Sequence, residues 1–243
     1  INLLPYFRKL ETDTDVQDDF HGSDGPVPVV RHKPENWLPL QHAFKASCLD
    51  QGYAEIYDHN NPDATGFGPF PMNNPNGVRM STALSYINPN RHRLNLTIRP
   101  NVLVRRILIE DGRATGVEVE SGGEVFQMEA GEIILSAGAI ASPQVLMLSG
   151  IGPAEHLQEK GIAVVADLPG VGKNLRDHPL VAVRVKTKDD FPLDPDAPRI
   201  QTVLRYTASG SENRNDMQIF PSSLSTPLGG DPMAEEGIRF TCM

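Results

Sequence analysis

The stretch IILSAGAIASPQVLMLSGIG, at residues 133–152, decides the fold of this chain. Its first residues, Ile133 to Ser136, lack polar alternation, which is typical of a strand covered on both faces inside a parallel sheet. A tight turn through Gly138 follows, and then Ser142 is predicted as the N-cap of a helix with Pro143 at the first helical position. The stretch therefore predicts a unit of strand, turn and helix.

Upstream of this unit, residues 94–136 contain several apolar runs that are joined by turn residues. The predicted strands before Ile133 are Leu94–Ile98, Val102–Ile109, Arg113–Glu120 and Val125–Ala130. Asp111-Gly112 and Gly122-Gly123 are pairs that tolerate the positive φ angles of two-residue hairpin turns. The pattern predicts a β-meander.

The outer parts of the chain are less regular. An acidic run from Asp13 to Asp19 is interpreted as a solvated loop, and Trp37 to Leu49 has the apolar spacing of an amphipathic helix. Gly66 to Asn76 is rich in turn residues, so little regular structure is expected there. Ile162–Ala166 is predicted as a further apolar strand. After residue 180, three widely separated strands predict an antiparallel sheet, and they are Val181–Lys186, Ile200–Tyr206 and Met217–Phe220.

Composition excludes several classes of function. The 31 acidic and 22 basic residues give a net charge of −9, which argues against a nucleic-acid partner. The two cysteines and seven histidines have no metal-ligand spacing, so neither a metal site nor a disulfide is expected. Polar residues interrupt the longest apolar stretch, so no membrane anchor is expected, and the lack of a signal pattern favours the cytoplasm.

Two short segments could contact a cofactor. Small residues at Ser136 to Gly138 follow a predicted buried strand, so the turn serves either close helix packing or approach of a cofactor to the backbone. The segment from Asn174 to Pro179 contains Asp177 and His178, and it forms either a simple Asx-type turn or part of a site. The glycine pairs of the chain do not complete a G-x-G-x-x-G fingerprint.

Residues 138–152 resemble the second signature of the glucose/methanol/choline (GMC) oxidoreductase family and agree with it at every restricted position. Other segments resemble the same family in the same order along residues 1–180. They are His21-Gly22 to Pro26, Asn76 to Arg79, Arg113 to Val117, and Pro169 to Gly172 running into Asp177 to Pro179.

This resemblance implies a mixed α/β (α+β) fold. It combines part of an FAD-binding Rossmann-like domain, carrying an inserted β-meander, with part of an antiparallel-sheet substrate domain. Residues 1–75 would supply irregular substrate-domain or linker elements, residues 76–178 part of the FAD domain, and residues 179–243 the start of the substrate domain. The implied reaction is oxidation of the CH–OH group of a choline-like or aliphatic primary alcohol, with hydride transfer to flavin N5.

The resemblance also assigns cofactor contacts. The backbone of Val104 would face the adenine, Ala137 and Gly138 would border the ribose and pyrophosphate, and Asp177 and His178 would lie nearer the flavin or the domain junction. The family's catalytic histidine and its glycine-rich loop have no counterpart here. We therefore expect an internal fragment that is inactive alone, and the sequence does not identify the electron acceptor of the whole enzyme.

Two other functions fit the same sequence less closely. A catalytically inactive binding module could keep the fold and use the meander surface for a partner. A nicotinamide-dependent Rossmann enzyme is disfavoured, because its nucleotide fingerprint should be recognisable in the first strand-helix unit.

Overall fold

The computed structural model describes residues 3–188, 190–191, 194, 196–225 and 237–243, which fall into two compact units. One unit is Ile1–Arg93 with His178–Met243, and the other is Leu94–Asp177. The α-helices are α1 (Leu4–Leu10), α2 (Pro39–Asp50), α3 (Asn88–Asn90), α4 (Gly138–Leu148) and α5 (Ala154–Glu159). Short 3-10 helices span Pro34–Asn36 and Pro75–Gly77, and a π-helical turn spans Ala83–Ile87. The strands are β1 (Glu11–Asp13), β2 (Val27–Val29), β3 (Gly66–Pro69), β4 (Leu103–Glu110), β5 (Arg113–Ser121), β6 (Glu124–Glu129), β7 (Ile151–Gly152), β8 (Ala166–Asp167), β9 (Val181–Val185), β10 (Thr202–Tyr206), β11 (Met217–Ser225) and β12 (Gly237–Cys242).

The first unit is built on a five-stranded sheet in the order β3-β10-β11-β12-β9, and all of its pairs are antiparallel. This confirms the antiparallel sheet predicted after residue 180. Helix α2 packs near β3 and β11, where Phe67 is fully buried. The ring of Phe67 meets those of Trp37 and Phe44 edge to face, at centroid distances of 5.8 Å and 5.7 Å. These aromatic contacts form the core of the unit.

Strand β3 lies in the stretch for which little regular structure was expected, and that prediction was wrong. All four of its residues are buried. A Cβ atom added to Gly66 would lie 2.2 Å from the carbonyl oxygen of Ala54, and one added to Gly68 would lie 2.4 Å from that of Ile56. The glycines therefore permit close approach of two backbone segments inside the sheet, rather than marking a turn.

The acidic run at Asp13 to Asp19 is not simply a solvated loop, as the sequence interpretation had it. Strands β1 and β2 pair in parallel, and the side chain of Asp13 at the end of β1 is fully buried. It accepts a hydrogen bond from Arg31 Nη1 at 2.8 Å. A buried carboxylate needs such a partner, and residue spacing alone does not reveal a cation 18 positions away.

The second unit contains the predicted meander, β4-β5-β6, with antiparallel pairing throughout. Asp111 and Gly112 have φ angles of 50° and 76°, and Gly122 and Gly123 have φ angles of 61° and 84°. Both hairpins thus use the positive φ angles that their residues favour. Helix α4 packs on β4. Strands β7 and β8, which precede and follow α5 in sequence, form a small parallel pair.

Three predicted strands in this unit are absent or shorter in the structure. Leu94–Ile98 forms turns and extended backbone, and Ile133–Ser136 forms no strand, with Ile134 82% exposed. Only Ala166 remains a strand residue within Ile162–Ala166. A strand requires a hydrogen-bonding neighbour, and none of the described strands pairs with Leu94–Ile98 or Ile133–Ser136, while only Ala166 of the third segment pairs, with Ile151.

Helix α4 starts at Gly138, five residues earlier than the N-cap predicted at Ser142 implies. Its N-cap is Ala137, so Pro143 lies inside the helix instead of at its first position. The proline ring cannot donate a hydrogen bond to the carbonyl of Ala139, one turn earlier, which makes an interior proline unfavourable. Packing of α4 on β4 overrides this local preference.

The boundaries of the two compact units can be compared with those of the predicted domains, but they do not test the functions predicted for the domains. Residues 76–93, which the sequence groups with the meander, lie in the first unit, and the second unit ends at Asp177. The assignment of one unit to the cofactor and the other to the substrate stays a prediction. Among the described residues, no helix combines the length and apolar character needed to cross a membrane.

Candidate cofactor-binding site

A cavity of about 630 Å³ lies between strand β4 and helix α4 in the second unit. Two of the predicted cofactor residues, Val104 and Ala137, line it together although they are far apart in sequence. Its remaining wall consists of Val102, Leu103, Arg105, Arg106, Glu118, Ala141, Gln144, Val145 and Leu148. The wall is therefore mainly apolar with a few polar groups, as is usual for small-molecule sites.

The helix is fixed to the strand by a buried serine. Ser149 Oγ accepts a hydrogen bond from the backbone N–H of Ile107 at 2.8 Å. The same hydroxyl donates to the carbonyl of Val145 at 2.6 Å. Because Ile107, Val145 and Ser149 are all buried, these bonds set the spacing between the two walls of the cavity.

We expect Ser149→Ala to destabilise the protein by about 1–3 kcal/mol, because the buried N–H of Ile107 loses its partner. Urea unfolding would measure the change. Ser121→Ala is the matched control, since the Ser121 hydroxyl donates to the Asn101 carbonyl on an exposed surface. An equal, small effect of both substitutions would contradict the role given to Ser149.

The register of β4 shifts between Val104 and Arg106, which leaves Arg105 as an additional residue in the strand. Such bulges redirect side chains and are frequent next to functional sites. Here Arg105 Nη1 donates to Glu120 at 2.8 Å. Arg106 donates to Glu118 through Nε at 3.2 Å and Nη2 at 2.9 Å.

These pairs neutralise the charge on the cavity wall. The hydrogen bond from Arg106 lowers the pKa of Glu118, and the hydrogen bond to Glu118 raises the pKa of Arg106. Both arginines are thus engaged with carboxylates, so this part of the wall suits an uncharged ring better than a phosphate.

The turn at the start of α4 leaves open space beside Gly138. Gly138 has a φ of +84°, and a Cβ added there would meet no atom within 4 Å beyond its own neighbours. Close helix packing therefore does not explain the glycine. No side chain caps the first turn of α4, which leaves the helix N-terminus available to an anion. An open turn at an uncapped helix start is a position where a phosphate group can bind.

The structure brings together only some of the predicted site residues. Val104 and Ala137 share the cavity, and Gly138 adjoins Ala137 at the helix start. Asp177 and His178 are exposed residues at the boundary between the two units, and they do not line the cavity. Their predicted contacts with the flavin stay predictions.

Sequence reasoning did not select four polar residues of the cavity wall. They are Arg105, Arg106, Glu118 and Gln144. The opposed charges on neighbouring predicted strands were a usable signal for the first three, because cross-strand pairs of opposite charge are common. Gln144 gave no signal, since only the packing of α4 on β4 directs it to the cavity.

The profile of GMC oxidoreductases matches residues 2–180 of this chain. The chain belongs to the GMC oxidoreductase family. FAD is the cofactor of this family, as the sequence resemblance predicted. The family match also confirms the resemblance drawn from residues 138–152.

Similar proteins support the assignment. A GMC-type oxidoreductase from the thcA 5′ region of Rhodococcus erythropolis is 38% identical over 244 residues, covering 100% of this chain and 48% of that protein. An oxygen-dependent choline dehydrogenase of Photobacterium profundum is 44% identical over 176 residues, covering 72% of this chain and 31% of that enzyme. The chain thus spans about half or less of the length of these relatives.

A solved structure of the family has the same fold. Pyridoxine 4-oxidase from Mesorbium loti superposes with a TM-score of 0.82 at 28% identity. The superposition covers 99% of this chain and 48% of that enzyme. Both units of the present chain therefore have counterparts in a GMC oxidoreductase.

Proposed function

We propose that this chain is part of a longer FAD-dependent enzyme that oxidises the CH–OH group of a small alcohol. The observation that carries the proposal is the cavity shared by Val104 and Ala137, within a segment that the family profile spans. The open turn at Gly138 and the uncapped start of α4 add to it.

The proposed contacts follow the chemistry of the cavity. The extended backbone at Val104, between apolar neighbours and paired charges, receives the adenine. Ala137 and Gly138 border the ribose and pyrophosphate, which the N–H groups at the start of α4 bind. Asp177 and His178 lie nearer the flavin or the junction with the first unit. The flavin, when bound, accepts the hydride that leaves the carbinol carbon.

A choline-like alcohol is the first substrate to test. Choline dehydrogenases from several bacteria are 43–45% identical to this chain over 176–200 residues. Pyridoxine 4-oxidase and a fungal aryl-alcohol oxidase share the fold, the latter at 25% identity and a TM-score of 0.66. Primary alcohols other than choline therefore belong in the same experiment.

The test uses the whole protein that contains this chain. We expect purified protein to release about one FAD per polypeptide on denaturation, and its flavin absorbance to bleach when choline or a primary alcohol is added without oxygen. Bound FAD that no alcohol bleaches would favour a catalytically inactive binding module. Protein without flavin, even after incubation with FAD, would contradict the proposal.

We expect that residues 1–243 alone do not catalyse the oxidation of an alcohol. The family resemblance assigns proton removal from the substrate hydroxyl to a histidine that we expect outside this chain. We therefore expect residues 1–243, expressed alone, to leave choline and aliphatic alcohols unchanged in the presence of added FAD.

A further inference from the structure

A cluster of charged side chains is buried in the first unit, away from the cavity of the second. Asp13 and Arg31 have no exposed side-chain surface, and His21 has 1%. Asp58 is 10% exposed, and the more open Asp18 is 38% exposed. Burial of this many ionisable groups is costly unless their charges compensate one another.

Arg31 joins two of the carboxylates. Its Nη1 donates to Asp13 Oδ1 at 2.8 Å, and its Nη2 donates to Asp58 Oδ1 at 2.5 Å. The second oxygen of each carboxylate, Oδ2, is buried and has no hydrogen-bond partner. Arg31 therefore binds only one oxygen of each of these two carboxylates.

His21 lies against both of these oxygens. Its Nδ1 is 2.6 Å from Asp18 Oδ1. Its Nε2 is 3.2 Å from Asp58 Oδ2 and 3.8 Å from Asp13 Oδ2, and it too lacks a hydrogen bond of good geometry. Both ring nitrogens therefore face carboxylate oxygens.

A neutral imidazole does not suit these surroundings. One of its nitrogens would carry a lone pair, which would face the lone pairs of a carboxylate. An imidazolium donates from both nitrogens. It also reduces the excess of negative charge, because Arg31 alone balances one of the three carboxylates.

A divalent cation is a less suitable occupant than a proton. Glu11, Asp13 and His21 place potential ligand atoms within 4.8 Å of one another. However, Arg31 already binds Asp13, and its positive charge would repel a metal ion at the remaining oxygen. Glu11 is also engaged, since its Oε1 accepts from the backbone N–H of Gly22 at 3.3 Å.

We propose that His21 is held as an imidazolium and closes this cluster, making it a pH-operated clamp that fastens residues 11–31 to the segment around Asp58. Ion pairs of His21 and Arg31 connect residues 11–31 to Asp58 within the first unit. Its role is independent of the proposed alcohol oxidation.

The electrostatic surroundings of His21 agree with this inference. Burial lowers the pKa of His21, but the hydrogen bond to Asp18 and the charges of Asp58, Asp18 and Asp13 outweigh it, so the pKa lies above its ordinary value of 6.5. The hydrogen bond to His21 lowers the pKa of Asp18. Charged groups around the ring come from several segments, and they are Arg8, Glu11, Asp13, Asp18, Arg31 and Asp58.

The sign of the pH dependence follows from the raised pKa. Stabilisation by protonated His21 is fully present below about pH 6.5, the pKa of an unfolded histidine. It is lost as the pH rises through the higher pKa of the folded state. The clamp should therefore open on the alkaline side and stay closed near neutrality and in mild acid.

Hydrogen exchange of the whole protein, followed by mass spectrometry, tests the clamp. Wild type is compared with His21→Gln at the same pH, so that the intrinsic exchange rates cancel. We expect peptides from residues 11–31 to exchange at least about tenfold faster in His21→Gln at pH 6, and at nearly equal rates in both proteins at about pH 9. Peptides from β4 and β5 serve as the internal control.

Two further variants keep the test decisive if His21→Gln folds poorly. Asp18→Asn preserves the shape of the partner and should shift the alkaline opening of residues 11–31 to lower pH. His156→Gln, which changes an exposed histidine of the second unit, should leave that opening unchanged. Protection of residues 11–31 that is independent of pH in wild type, or that rises on addition of Zn²⁺ or Mg²⁺ alone, would overturn the proposal.

Discussion

Replacing Gly138 with valine in the whole protein is expected to reduce the amount of FAD that the protein binds by more than tenfold. A valine side chain would enter the open space beside the start of α4, where we place the ribose and pyrophosphate. A tenfold loss of FAD affinity corresponds to about 1.4 kcal/mol of binding free energy. The measurement is the ratio of flavin to protein absorbance after purification and after incubation with added FAD.

The control for this experiment must share the backbone strain of the variant. Gly161 has a φ of +69°, and a Cβ added there also meets no atom within 4 Å. Gly161→Val therefore introduces a similar strain in the same unit, but outside the cavity. Normal flavin absorbance in Gly138→Val, or an equal loss of flavin in Gly161→Val, would contradict the cofactor contact.

Replacing Arg31 with methionine is expected to destabilise the protein by about 3–5 kcal/mol, because it removes the guanidinium that binds the buried carboxylates of Asp13 and Asp58. Methionine keeps most of the side-chain volume, so the loss reports on charge more than on packing. Chemical unfolding of the whole protein, followed by a probe in the first unit, gives the free energy.

Arg214→Met is the matched control for Arg31→Met. Arg214 pairs with Asp63 at 3.4 Å, and these side chains are 54% and 92% exposed. Solvent screens such a pair, so its removal should change stability by no more than about 1 kcal/mol. If Arg31→Met cost as little as Arg214→Met, the charge cluster would not stabilise the fold.

Local sequence patterns predicted the elements that depend mainly on contacts between residues near in sequence. Three predicted strands of the meander, Val102–Ile109, Arg113–Glu120 and Val125–Ala130, and both hairpin turns follow from apolar runs and from residues that tolerate positive φ, and the structure confirms them. The helix predicted at Trp37 to Leu49 is also present, as α2. Each of these elements is specified within about ten residues of sequence.

The failures have a common cause, since each involves partners distant in sequence. Gly66 to Pro69 forms a buried strand because distant backbone segments pack against its glycines. Ile133 to Ser136 has the composition of a buried strand but finds no paired neighbour in the described chain. Asp13 is buried because Arg31 reaches it across the β1–β2 pair.

The candidate site was predicted in part, and for a similar reason. The family resemblance selected Val104 and Ala137, which the structure places in one cavity. The charged residues of the wall depend on the bulge at Arg105 and on the register of β4 with β5, which residue spacing does not specify. The roles given to Asp177 and His178 stay predictions.

The most direct measurement is an experimental structure of the whole protein with its flavin bound. We predict that the adenine will lie against the backbone of Val104 and that the ribose and pyrophosphate will lie beside Ala137 and Gly138. A bound flavin whose adenosine lies elsewhere, with the space beside Gly138 filled by protein side chains, would contradict the account.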